Sequence, residues 1–139
     1  MDLTRYTEAQ EKQYAIALAE MKAGHKTSHW MWFIFLQIAG LGFSDVSKFY
    51  AIRNLDEAKA YLKHEILGMR LKEISSVLLM QNTDSANLIF GSPDDMKLHS
   101  CMTLFAIADE ENPNNVFEKV LAKFFTGKYD RRTEEILDI

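Results

Sequence analysis

Two polar side chains, His29 and Gln37, lie in an otherwise apolar stretch of the sequence, KTSHWMWFIFLQIAGLG. Their spacing puts them on one face of a helix, and the even separation puts them on one face of a strand as well. An imidazole can act as a general acid or base near neutral pH, and a carboxamide can orient a substrate. We therefore predict that both line a ligand pocket in catalytic roles. The alternative is that they satisfy backbone groups at the ends of elements.

The residues around His29 add groups that suit a ligand. Lys26, Ser28 and Trp30 crowd the entrance to the apolar stretch. An indole ring, that of Trp30 or Trp32, can stack on a base. We predict ligand contacts for these four residues.

Gly40 and Gly42 follow, one residue apart. Such a pair lets the backbone approach a phosphate closely, which predicts a further ligand contact. The later glycine of a dinucleotide-binding motif is missing, so a plain turn is the alternative.

A second polar set begins the helix predicted for residues 93–108. Lys97, Ser100 and Thr103 recur every three residues and span an arc of about 120°, opposite a heavily apolar side. A lysine one turn into a buried helix needs a partner, a ligand or a route to water. We predict that the three residues bind the ligand. Pairing of Lys97 with Asp94 is the alternative.

No metal site is predicted, because His25, His64 and His99 have no ligand spacing with Cys101 or with one another. Cys101 lies on an apolar helix and is predicted to be a core residue. A single cysteine excludes an intramolecular disulfide and is typical of a reducing compartment, so a cytoplasmic location is expected.

The bulk properties narrow the class of protein. A chain of 139 residues suits one domain, residues 1–139. The net charge is −4 and no dense Lys/Arg cluster is present, so a nucleic acid polymer is not an expected partner. The longest apolar run is well short of the roughly 20 residues that a spanning helix needs, so no membrane association is expected. The charged run 128–135 is typical of a solvated surface.

Helical periodicity and capping patterns predict the elements that position these residues. The predicted helices cover 4–23, 44–52 with Val46, Phe49 and Tyr50 inward, a segment capped by Asn54, 67–80, 93–108, 116–127 and a final helix from 130 or 131. Residues 86–90 are predicted to form a short apolar element. Residues 30–38 are compatible with a helix or a buried strand. The fold class is therefore mainly α: a compact, irregular multi-helix single domain with a central buried helix near residues 93–108.

Several blocks, among them SHWMWFIFLQIAGLG, IFGSPDDMKLHSCMTLF and FEKVLAKFFTGKYDRRTEEIL, closely resemble the family catalogued as domain of unknown function 1810. The resemblance covers about residues 2–137 and implies a stand-alone, mainly helical domain. The "calpastatin" label of some members does not suit a compact, apolar chain. A contextual link of the family to NAD or ADP-ribose metabolism implies a nucleotide-derived ligand. The family's characteristic positions correspond to Ser28, His29, Trp30, Trp32, Gln37, Gly40, Gly42, Lys97, Ser100 and Thr103.

Three hypotheses follow. The first is a pocket protein that binds or processes a nucleotide-derived small molecule of the NAD or ADP-ribose type, with Lys97 on a phosphate and His29 in the same cavity. The second is a non-catalytic protein-interaction module with an exposed apolar patch. The third is a homo-oligomeric structural protein whose aromatic stretch is the interface. The cofactor, the oligomeric state and the existence of a reaction are left open.

Overall fold

Helices connected by short loops account for most of the chain, and no strand longer than one bridge is present. A computed structural model describes residues 1–139. The nine helices are α1 Thr4–Ala23, α2 Met31–Ile34, α3 Asp45–Tyr50, α4 Leu55–Lys63, α5 Leu67–Leu78, α6 Ala86–Phe90, α7 Asp94–Ala108, α8 Val116–Phe125 and α9 Arg131–Leu137. The mainly α prediction is confirmed.

The central helix is α7. From Leu98 to Ala108 nearly every side chain is buried, because this part of the helix is apolar on all sides. Helices α4, α6, α8 and α9 pack around it. The prediction of a central buried helix near residues 93–108 is confirmed, with Pro93 just before the first helical turn.

The aromatic stretch is neither a continuous helix nor a strand. A single α-turn ends at Ile34, and Phe35 then turns the chain into an extended conformation. The Gln37 carbonyl accepts from the amide of Ile52 at 2.8 Å, and the amide of Ala39 donates to the Ile52 carbonyl at 2.7 Å. Pairing with residue 52 therefore replaces helical hydrogen bonds, and the expectation that one regular element carries both His29 and Gln37 is wrong.

Helix α3 lies on the surface with most of its apolar side chains outward. Val46 and Phe49 are 43% and 59% exposed, so the prediction that they face inward is wrong. Only Tyr50 turns toward the core, where its ring contacts those of Phe33 and Tyr6. The helix has six residues, and none of them is fully buried.

A buried ion pair fastens this part of the chain to α1. The Arg5 guanidinium donates to the Glu57 carboxylate at 2.8 Å and to the Ala51 carbonyl at 3.1 Å. It also donates to the Phe49 carbonyl at 3.0 Å. Glu57 is only 1% exposed and accepts from the amide of Arg53 at 3.0 Å. Helix α1 therefore fixes residues 49–53, which adjoin the candidate site.

None of the helices combines the length and the apolar character that crossing a bilayer requires.

Candidate functional site

Two adjoining cavities lie where the 37–47 segment meets the first turn of α7. The inner recess has a volume of about 10 Å³, and the outer cleft has a volume of about 160 Å³. Both are lined by Gln37, Gly42, Ser47 and Lys97. The recess is completed by Met31, Trp32, Phe35, Ile38, Tyr50 and Ala51, and the cleft by Leu41, Pro93, Met96 and Arg132.

Lys97 contacts one aromatic ring and one carboxylate. Its Nζ lies 5.2 Å from the ring centroid of Trp32, which is a cation–π distance. The same Nζ lies 3.3 Å from Oδ1 of Asp94, whose other carboxylate oxygen is 2.8 Å from Nζ of Lys26. One carboxylate is thus shared by two ammonium groups, and the pairing of Lys97 with Asp94 is present.

Lys26 is the more deeply placed of the two lysines. Its side chain is 9% exposed, and its Nζ lies 5.1 Å from the ring centroid of Trp30. It does not line the recess or the cleft. In this structure Lys26 ties the loop after α1 to the start of α7.

Gly42 shapes the wall that separates the cavities from α3. A Cβ built at Gly42 would lie 2.4 Å from the Cβ of Ser47, so any larger residue forces the two segments apart. Ser47 also donates its amide to the hydroxyl of Ser44, which caps α3. Gly42 therefore lets Ser47 and Gln37 face the same space.

Ser100 and Thr103 face α9 and lie away from the cavities. The Ser100 hydroxyl donates to Asp130 Oδ2 at 2.9 Å, and the Asp130 amide donates to the Thr103 hydroxyl at 2.8 Å. Asp130 in turn caps α9 by accepting from Thr133. Two buried residues of α7 thus dock the first turn of α9, and this turn carries Arg132 to the cleft.

Glu20 organises the loop that contains Ser28, His29 and Trp30. Its carboxylate accepts from the amide and the hydroxyl of Ser28 and from the indole N–H of Trp30, the last at 3.0 Å. Burial alone would raise the pKa of Glu20, but these bonds and one from the amide of Thr27 outweigh it and hold the pKa at about 2. The carboxylate is therefore ionised at neutral pH.

These contacts place the remaining predicted residues. Trp30 is fully buried, so its ring has no face free for a base, and Ser28 is bound by Glu20. His29 is exposed and lines neither cavity. Gly40 lies on the outer surface beside Ile136. Of the residues predicted to form a site, the structure brings together Trp32, Gln37, Gly42 and Lys97.

The cleft also contains two polar or charged residues that were not among the candidates, Ser47 and Arg132. Ser47 belongs to a short surface helix, and Arg132 belongs to a charged run typical of a solvated surface. No local pattern distinguishes either from an ordinary surface residue. The only signal that relates to Arg132 is the buried pair Ser100 and Thr103, whose hydroxyls need partners.

Comparison with known proteins places the whole chain in one group. A family model described as "Protein of unknown function (DUF1810)" matches residues 1–137. A solved structure, that of the conserved hypothetical protein Rv1873 from Mycobacterium tuberculosis, is 45% identical to this chain. The match has a TM-score of 0.94 and covers 99% of this chain and 97% of the other. Comparison with functionally curated proteins finds no match.

The family match spans nearly the full sequence, and the helices superpose on those of a protein of almost the same length. The chain therefore belongs to the DUF1810 family of proteins of unknown function.

Proposed function

We propose that the outer cleft binds the phosphate of a nucleotide-derived small molecule, of which NAD and ADP-ribose are representatives. The observation that carries the proposal is the lining of the cleft. Lys97 and Arg132 are its only charged residues, and Gln37 and Ser47 add neutral hydrogen-bonding groups. An arginine can donate hydrogen bonds to two phosphate oxygens at once, while a lysine acts as a point charge.

The local charge supports an anionic ligand. Asp94 is the only carboxylate within ion-pair distance of Lys97, and it is bound more closely by Lys26. The Arg132 guanidinium has no carboxylate within ion-pair distance. Lys97 therefore shares its one carboxylate with Lys26, and Arg132 pairs with none, although the whole chain is acidic.

The cavity volumes limit which part of the ligand enters. The recess, at about 10 Å³, has room for roughly one water molecule. The cleft, at about 160 Å³, is smaller than the roughly 300–1,000 Å³ of sites that enclose a drug-sized ligand. It therefore suits a charged end group, with the remainder of the ligand outside.

The same geometry favours binding over proton transfer as the role of this cleft. His29, the residue expected to act as acid or base, is exposed and lines neither cavity. Gln37 is in place, and as a carboxamide it can position a ligand but does not titrate. The proposal accordingly assigns Gln37, Ser47, Lys97 and Arg132 to binding.

A thermal-shift and calorimetric titration with ADP-ribose, NAD, AMP and inorganic phosphate tests this proposal. A compound at about a hundred times its Kd adds roughly 2.7 kcal/mol to the free energy of unfolding, which raises Tm by several degrees. Lys97→Gln and Arg132→Gln should each weaken binding by about tenfold or more, because each removes a charge-assisted hydrogen bond.

The matched control is Arg131→Gln, since Arg131 precedes Arg132 on α9 but is 90% exposed and pairs with Glu135. This variant and His29→Ala should keep the wild-type affinity. The proposal is wrong if none of the phosphate compounds shifts Tm, or if Lys97→Gln and Arg132→Gln bind as tightly as the wild type.

A second candidate function, protein interaction or self-association, rests on the outer face of α3. Val46 and Phe49 are exposed there, one helical turn apart. Sedimentation of the wild type and of Phe49→Ser at micromolar concentration tests it. If both proteins sediment as monomers, the homo-oligomer hypothesis is wrong. If the wild type binds a partner protein and Phe49→Ser does not, the interaction-module hypothesis is supported.

A further inference from the structure

An apolar shelf extends outward from the cleft. It is lined by Gly40, Leu41, Phe43, Arg132, Glu135 and Ile136 and has a volume of about 380 Å³. Leu41 and Arg132 line both the cleft and the shelf. A ligand whose phosphate contacts Arg132 in the cleft therefore has the shelf directly beside it.

The volumes exclude inward extension of the ligand and favour outward extension. Inward, the recess has room for roughly one water molecule at about 10 Å³. Outward, the shelf is more than twice as large as the cleft, and the two together reach the range of small-molecule sites. The shelf is therefore the adjoining surface that can contact the part of the ligand beyond the phosphate.

The shelf offers a flat aromatic surface. The Phe43 side chain is 87% exposed, although the transfer of a phenyl ring out of water is favourable. Phe43 and Phe124 are the two phenylalanines whose rings have no aromatic partner within the protein, and the Phe124 ring has Lys123 Nζ 5.4 Å from its centroid. Leu41 and Ile136 are further apolar groups on the same shelf.

Glu135 adds a carboxylate to the shelf. Its carboxylate lies 3.3 Å from Arg131 and can still accept hydrogen bonds. A carboxylate suits a ribose hydroxyl or an amino group and repels a further phosphate. The charges thus run from cationic in the cleft to mixed on the shelf, in the same order as phosphate, sugar and base.

We infer that the ligand is a nucleoside 5′-phosphate whose base stacks on Phe43 while its phosphate lies between Lys97 and Arg132. This inference rests on the proposed function and names the ligand class for the same site. It makes Phe43 the residue that distinguishes a nucleotide from a plain sugar phosphate. Stacking of a base on an aromatic side chain is worth about 1–3 kcal/mol, which corresponds to about 5- to 150-fold in affinity.

The experiment is a calorimetric titration of the whole chain with AMP and with ribose 5-phosphate. These compounds share the sugar phosphate and differ by the base. AMP should bind the wild type about tenfold more tightly. In Phe43→Ser this ratio should fall below about threefold while the affinity for ribose 5-phosphate stays the same, and Phe43→Trp should restore it. Phe49→Ser is the matched control, because Phe49 is exposed but lines neither the cleft nor the shelf.

The outcomes separate the two proposals. Equal affinity of the wild type for AMP and ribose 5-phosphate would overturn the stacking inference and leave phosphate binding standing. An unchanged ratio in Phe43→Ser would overturn the assignment to Phe43. Binding of neither compound would overturn both the proposed function and this inference. Because Phe43 is exposed and packs against little, its variants are expected to fold, which a melting curve of each variant checks.

Discussion

Replacement of Glu20 by glutamine is expected to loosen the loop that leads into the aromatic stretch. The carboxylate accepts four hydrogen bonds, from the amides of Thr27 and Ser28 at 2.8 and 2.9 Å, from the Ser28 hydroxyl at 2.5 Å and from the Trp30 indole at 3.0 Å. A carboxamide has one oxygen in place of two and directs its N–H groups at donors. The variant therefore cannot satisfy all four donors.

The magnitude follows from the shifted pKa. Glu20 has a pKa of about 2 in the folded chain, against an ordinary value of 4.5. At 1.36 kcal/mol for each pKa unit, the upper bound is about 3 kcal/mol. Solvent screens a carboxylate that is only partly buried, so about 1–2 kcal/mol of the free energy of unfolding is expected to depend on this charge. For a chain of this size that is about 3–8 °C in Tm.

The sign with pH is determined, because the folded pKa lies below the unfolded one. The stabilisation is complete above about pH 4.5 and is lost as pH falls toward 2, with less than half remaining at pH 3. Melting curves of the wild type, Glu20→Gln and Glu11→Gln from pH 3 to pH 7 measure it. Glu11 is exposed on the same helix and makes no ion pair, so it controls for the loss of one charge. Coincident curves for the two variants at pH 7, or a Glu20 effect that does not shrink between pH 5 and 3, would refute the reasoning.

Three further predictions concern the fold. Glu57→Gln leaves the Arg5 guanidinium buried beside an uncharged partner and should lower the free energy of unfolding by about 3–5 kcal/mol in a urea titration. Gly42→Ala should cost about 1–3 kcal/mol by forcing its Cβ against Ser47, and in Gly42→Ala/Ser47→Gly the loss should be smaller than the sum of the single losses. Cys101 is fully buried, which raises the pKa of its thiol, so DTNB should react with it only when denaturant unfolds the chain.

The helices could be predicted from the sequence wherever their signals are local. Helix α1 ends at Gly24, which adopts the left-handed conformation that glycine tolerates, and the Asn54 and Asn115 side chains cap α4 and α8. The apolar character of α7 on all sides predicts its central position. Each of these signals is contained within a few residues, so it does not depend on the rest of the fold.

Features that depend on distant contacts could not be predicted in this way. The break at Phe35 arises because residues 37–39 pair with Ile52, and Arg132 reaches the cleft because Ser100 and Thr103 hold the preceding turn. Both contacts join segments far apart in the sequence. The sequence does not show which distant group each of these polar groups will contact. Gln37 and Lys97 could therefore be predicted as site residues, but Ser47 and Arg132 could not.

The two lysines that share Asp94 affect how an anion would be received at this place. If a phosphate draws Lys97 away from its 3.3 Å contact, Lys26 remains at 2.8 Å and keeps the aspartate neutralised. No carboxylate is then stranded in a partly dry setting, which would otherwise oppose binding. Exchange of one counter-anion for another at Lys97 requires only a small movement of a flexible side chain. Because Lys26 would keep its contact with Asp94, the start of α7 would stay attached to the loop after α1 if an anion were bound in the cleft.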